Sequence, residues 1–257
     1  MLGRYKKVIK RISTALVCLA ICALAIVSSY IDSKADRSVD IRSDQNISDT
    51  LEPPFSLSVR ASRLSSVSVM SMSPKGGYVS SSSGTYIVRN GKYYVLTVSH
   101  GISTQDCDYI RIVVGENIYN CTELSAYDEE VDYAILEVDV IPDRVAVEAT
   151  HRIPRDNKWV ENLSIGTDTV YTGYPSGMGP LTIEGSIVGY TESDNIYIHS
   201  FAWPGSSGSG VFNENHKLIG FIMAINLGYT EFGITVLEDI VIVVPLHKID
   251  WDLLEEE

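Results

Sequence analysis

The chain of 257 residues carries 20 Lys and Arg against 33 Asp and Glu, a formal charge of -13, with 45% apolar and 21% charged residues. So acidic a surface repels phosphate backbones and excludes nucleic acid as a partner, and the apolar share excludes a disordered chain. The length suits one large or two small domains.

Charge is distributed unevenly along the sequence. Arg4, Lys6, Lys7, Lys10 and Arg11 precede residue 12, no acid precedes Asp32, and no charged residue lies between Ile12 and Ile31. As a helix that stretch rises about 30 Å, enough to cross a bilayer. The basic flank holds the N-terminus on the cytoplasmic side, so everything beyond Asp32 faces the extracytoplasmic side. Residues 1–31 read as a signal anchor that makes the membrane a partner, or as a signal peptide whose cleavage at Ala23-Leu24-Ala25 secretes the rest. Residues 32–63 mix Ser, Asp and Arg with Pro53-Pro54 and show no sustained apolar period, which predicts a flexible linker.

From residue 64 the pattern becomes short β-rich runs separated by turns. Tyr86-Ile87-Val88 and Tyr93-Tyr94-Val95-Leu96 flank Asn90-Gly91, a pair that accepts the positive φ angles of a tight hairpin. Further strands are expected at Tyr109–Val114, Ile118–Leu124, Tyr133–Val138, Thr169–Thr172, Thr182–Tyr190, Asn195–His199, Lys217–Ile225 and Asp239–Val244. About a dozen strands in two groups give an all-β fold of two antiparallel units, with the divide near residue 155. After Pro245 the spacing of Leu246, Ile249 and Leu253 predicts one short packing helix.

Cys107 and Cys121 are the only thiols in the exported part, flanking the Ile110–Asn120 hairpin. An oxidising compartment permits their pairing, although a simple hairpin register does not set them opposite each other. No Cys or His spacing suggests a metal site. Asn46, Asn120 and Asn162 begin Asn-x-Ser/Thr triplets open to glycosylation.

Three segments carry chemistry when taken together. Leu96-Thr97-Val98-Ser99-His100 ends an apolar strand on a histidine, Asp132 immediately precedes the apolar run Tyr133-Ala134-Ile135-Leu136, and Gly205-Ser206-Ser207-Gly208-Ser209 is a small-residue turn feeding a strand. Acyl transfer by a serine needs an imidazole to take its proton, an acid to hold that imidazole, and backbone N–H groups aimed at the developing oxyanion. Glycines on both sides of Ser207 permit the sharp turn that exposes a hydroxyl and lets the N–H groups of Gly205 and Ser207 converge.

In these three motifs, in the order His, Asp, Ser, the sequence resembles the trypsin/chymotrypsin-like serine peptidases, especially their compact bacterial heat-stress and viral members, over about residues 64–250. Val170-Tyr171-Thr172-Gly173-Tyr174-Pro175 is similar to the segment that opens the second barrel in bacterial members. The resemblance implies two six-stranded β-barrels, at about 64–155 and 156–257, with the site in the cleft between them. It implies His100 as general base, Asp132 as its orienting acid, Ser207 as nucleophile, Gly205 and Ser207 as oxyanion donors, no cofactor, and a protein or peptide substrate. Asp128 is the runner-up acid, and Ser206 and Ser209 are rival nucleophiles by composition only. Phe201, Ala202 and Ile225 fall where the family builds its primary pocket, and no acid at its base disfavours Lys or Arg. His199 is a further candidate for lining that pocket, with a structural role on its strand as the favoured alternative. The competing reading is a catalytically inactive protease-like binding module on the extracytoplasmic side.

Overall fold

The computed structural model describes residues 54–149, 163–230 and 233–254, with side chains described outside 224–238. The expected anchor at 1–31, the first part of the linker, the divide near 155, Asn46 and Asn162 lie outside the described residues. Among the described residues no helix is long and apolar enough to cross a membrane.

The expected two barrels are present. In the first, β1 (Ser66–Met72), β2 (Tyr78–Arg89), β3 (Lys92–Thr97), β4 (Ile110–Val114), β5 (Asn117–Asp128) and β6 (Tyr133–Val138) hydrogen-bond in the order β1-β4-β5-β6-β3-β2. Pairing of β1 with β2 closes the ring, and the two-residue β7 (Val147–Glu148) adds in parallel to β2. In the second, β8 (Asp168–Gly173), β9 (Leu181–Tyr190), β10 (Ile196–His199), β11 (Gly210–Asn213), β12 (Leu218–Thr230) and β13 (Gly233–Pro245) form a closed barrel in the order β10-β13-β12-β11-β8-β9. Asn90 and Gly91 turn the β2–β3 hairpin with φ of 50° and 80°, as their sequence requires.

Period-two alternation explains why so many strands are apolar on both faces. Tyr86, Val95, Ala134 and Leu136 fill the first barrel, while Tyr171, Val211, Ile222 and Val243 fill the second. Their neighbours Ile87, Leu96, Ile135, Val170, Phe212, Phe221 and Val244 point the other way and share one core between the barrels. Each barrel therefore uses one face of these strands for itself and the other for its partner.

Two expectations need correction. Residues 54–63 of the expected linker belong to helix α1 (Pro54–Ser65), which opens on a proline, a residue suited to the first helical turn. Its inward face carries Ser58, Ser62 and Ser65, all buried at helical spacing. The Ser58 hydroxyl donates to the Asn213 carbonyl at 2.8 Å, and that of Ser62 donates to Thr172 Oγ1 at 2.7 Å. Phe55, Val59 and Ala61 also pack on the core, but the apolar residues Phe55, Leu57, Val59 and Ala61 alternate along the sequence, so the helical period is carried by the serines and not by an apolar stripe. The predicted C-terminal helix is instead two 3-10 turns, Leu246–Lys248 and Trp251–Leu254, separated by extended Ile249. The buried anchors there are Leu246, Ile249, Trp251 and Leu254, whereas Leu253 is exposed, and the Trp251 indole donates to the Leu246 carbonyl at 2.8 Å.

Cys107 and Cys121 form a disulfide with Cα atoms 5.1 Å apart. A 3-10 turn at Cys107–Tyr109 folds the chain back just before β4, bringing Cys107 to β5 where a plain hairpin register would not. Because the bond closes a loop of sequence separation 14, a Cys107→Ser/Cys121→Ser variant is expected to lose about 3 kcal/mol of unfolding free energy. Paired denaturation curves of the oxidised wild type and the variant measure this.

Candidate active site

β3 ends at Thr97, and the 3-10 turn Ser99–Gly101 carries His100 to the rim of the first barrel. His100 Nδ1 lies 2.8 and 3.0 Å from the two Asp132 carboxylate oxygens. The same carboxylate accepts the His100 backbone N–H at 3.1 Å and the buried Ser99 hydroxyl at 2.8 Å. Asp132 sits at φ 70°, a left-handed conformation that Asp tolerates better than most residues, at the end of the turn into β6. The His100 side chain is 53% exposed and that of Asp132 13%, so the acid is sheltered while the imidazole reaches the cleft. With Asp132 on Nδ1, the tautomer that donates to the carboxylate leaves Nε2 with its lone pair.

Asp128, the runner-up acid, has a different role. Its Oδ1 accepts the N–H groups of Glu130 and Val131 at 2.7 and 2.8 Å and so closes the turn that presents Asp132.

On the second barrel, the turn from Pro204 to Ser209 leads into β11. Its backbone hydrogen bonds are selective. Ser206 N–H donates to the Trp203 carbonyl (2.9 Å), Gly208 N–H to Ile222 (2.7 Å) and Ser209 N–H to Ser206 (3.1 Å). The N–H groups of Gly205 and Ser207 have no backbone acceptor among the described residues. Ser206 and Ser209 are buried; the Ser209 hydroxyl donates to the Ser206 carbonyl at 2.6 Å, while Ser206 Oγ accepts the Trp203 N–H at 3.3 Å. Ser207 alone of the three retains partial exposure.

Ser207 and His100 line a single cavity of about 220 Å³ together with Ala202, Trp203, Pro204, Ser206, Ile222 and Met223. Of the residues expected to form a primary pocket, Ala202 lines it. Phe201 does not: it is 52% exposed and stacks on Trp203 with ring centroids 6.4 Å apart. Ile225 lies on β12 opposite Val241. His199 is exposed, 3.9 Å from the Asp239 carboxylate, and outside the cavity. Tyr171 anchors the segment leading to the cavity, donating its hydroxyl to the Phe201 carbonyl, and burial pushes that hydroxyl's pKa strongly upward, so it stays protonated.

Sequence reasoning overlooked Ser99, Ile222 and Met223. The Ser99 hydroxyl was visible inside the histidine motif as the residue before His100, whereas Ile222 and Met223 look like any other strand residues.

Residues 82–221, more than half the chain, match the family described as trypsin-like peptidase domain, and the chain belongs to that family. It is a serine endopeptidase, a hydrolase. Among solved structures, the serine endoprotease of Yersinia pestis matches with a TM-score of 0.61 at 20% identity, over 80% of this chain and 69% of that one. A protease from M. tuberculosis in its active form matches with a TM-score of 0.54 at 20% identity, over 75% of this chain and 82% of that one. Likeness at that identity concerns the fold. No curated protein matches the chain.

Gly208 marks the tightest contact of the turn: its φ is 89°, and a Cβ there would lie 2.0 Å from the Ser83 carbonyl oxygen. Gly208→Ala is expected to cost about 3 kcal/mol or more, from backbone strain and overlap together. Gly179→Ala, where a Cβ meets nothing within 4 Å, is expected to change stability little. Denaturant midpoints of the two variants check the contrast.

Proposed function

We propose that Ser207 is the nucleophile, His100 its general base and Asp132 the acid that orients the imidazole, in an enzyme that cleaves peptide bonds through an acyl-enzyme. The observation that carries this reading is the pairing of His100 Nδ1 with Asp132 at 2.8 Å while His100 and Ser207 line one cavity. Ser207 Oγ attacks the scissile carbonyl carbon as His100 Nε2 takes its proton. The carbonyl oxygen becomes an oxyanion held by the N–H groups of Gly205 and Ser207, which have no backbone acceptor among the described residues. Collapse breaks the C–N bond, and the imidazolium returns the proton to the leaving amine. Water then repeats the sequence on the ester and releases the acid product. No cofactor enters. An inactive binding module would have no use for two donors without a backbone acceptor among the described residues beside a serine flanked by glycines.

Among the described residues the cavity walls of Ala202, Trp203, Pro204, Ile222 and Met223 are apolar and include no carboxylate. They suit a small or medium aliphatic side chain before the scissile bond and give a Lys or Arg no partner. In a panel of peptide substrates differing only at that residue, Ala, Val or Leu is expected to exceed Lys and Arg by at least about tenfold in kcat/KM; the reverse order would sink this assignment.

We further propose that residues 12–31 tether the enzyme to a membrane, or export it as a cleaved signal, with the barrels on the extracytoplasmic side. The apolar stretch behind five basic residues supports this. A fluorophosphonate probe added to cells producing the full chain is expected to label a band in the membrane fraction or, after cleavage, in the medium. Ser207→Ala and His100→Ala abolish the label if the assignment is right; an unlabelled, well-folded wild type would overturn it.

A further inference from the structure

One buried hydroxyl on the first barrel grips the nucleophile turn of the second. Ser83 lies on β2, fully buried, and every polar group it has is used. Its backbone N–H donates to the Ser207 carbonyl at 2.8 Å. Its side-chain hydroxyl donates to the Gly205 carbonyl at 2.7 Å and accepts the Tyr174 N–H at 2.8 Å. Its carbonyl accepts the hydroxyl of Thr97, three residues before His100, at 2.7 Å.

Gly205 is the residue of the turn most in need of restraint. It sits at φ 96° without a side chain, and its N–H must keep a fixed direction for an oxyanion to find it. The peptide planes on both sides of Gly205 are held from outside the turn. The Pro204 carbonyl accepts the Ser176 N–H at 2.7 Å, which orients the peptide carrying the Gly205 N–H. The Gly205 carbonyl accepts the Ser83 hydroxyl, which orients the next peptide. The Ser83 hydroxyl also holds Tyr174, two residues before Ser176. One side chain therefore restrains Gly205 from both sides, by bonding the peptide that follows it and by holding the segment that bonds the peptide carrying its N–H.

We propose that the Ser83 side chain is a positioning residue for the oxyanion site: it does not touch substrate, but it sets the direction of the Gly205 N–H and links the strand leading to His100 with the turn carrying Ser207. This inference rests on the triad proposed above. Loss of such a support affects the transition state, where the oxyanion exists, far more than the bound substrate.

The experiment compares Ser83→Ala and Ser83→Cys with wild type in the full chain, using a peptide substrate and a peptide aldehyde whose hemiacetal oxygen occupies the same site. Cysteine fills the space but donates a weaker hydrogen bond, so it supplies a second reading if alanine fails to fold. Ser58→Ala, which removes a buried hydroxyl on α1 bonded to Asn213, serves as the stability control. The expected result for Ser83→Ala is a kcat lower by about 10- to 100-fold, less than removing an oxyanion donor outright costs, with KM within about twofold and aldehyde affinity falling in parallel with kcat. Cysteine falls between alanine and wild type, and Ser58→Ala keeps both kcat and aldehyde affinity. Wild-type kcat in a folded Ser83 variant, or equal losses in the Ser58 control, would overturn the inference. Fluorophosphonate labelling of wild type and its loss in Ser207→Ala are read separately, so failure of the triad is distinguished from failure of the Ser83 role.

Discussion

The approach of β2 to the Pro204–Ser209 turn constrains the rest of this molecule. His100 on one barrel and Ser207 on the other can act together, as proposed, only if the seam between them is rigid, and here backbone meets backbone without an intervening side chain. Gly208 passes so close to the Ser83 carbonyl that a methyl group would overlap it. The Ser207 carbonyl is simultaneously bonded to the Ser83 N–H. Apolar contact alone fixes distance loosely, since side chains can repack. Directional hydrogen bonds across a seam this narrow fix orientation as well.

Two kinds of packing surround that contact. The outward faces of the barrels bury Ile87, Leu96, Ile135, Phe212, Phe221 and Val244 together, which supplies the nonspecific force for association. Around the Pro204–Ser209 turn the buried groups are instead small and polar, Ser82, Ser83, Thr85, Thr97, Ser206 and Ser209 among them. Burying hydroxyls costs free energy unless each finds a partner. Ser82 and Thr97 pair at 3.1 Å, and Thr85 donates to the Gly208 carbonyl at 3.4 Å. Helix α1 extends the same chemistry to the outside of the second barrel through Ser58 and Ser62. Small residues allow close approach, and their hydroxyls make that approach specific.

Legibility in the sequence followed the range of the interaction. The β2–β3 hairpin was readable because Asn90-Gly91 encodes its own dihedral angles. The apolar strands were readable by composition, although which face served which core was not. Helix α1 escaped notice because its most deeply buried residues are serines, and a hydroxyl becomes a core group only when partners such as Asn213 and Thr172, far along the chain, come within reach. The turn at Cys107 likewise depends on how the chain enters β4, so pairing with Cys121 could not be read from spacing.

The sequence by itself determined the order of the barrels and the three segments that bear His100, Asp132 and Ser207, because strand alternation, turn glycines and reactive side chains are local properties. Only the tertiary structure decided which acid faces the imidazole, which of three neighbouring serines remains accessible, and that Ala202 rather than Phe201 lines the pocket. Those choices depend on hydrogen bonds and burial between residues distant in the chain. The apolar run after Asp132 ranks it above Asp128 in the sequence, but only the closed barrel brings Asp132 to His100 and leaves Asp128 to close a turn.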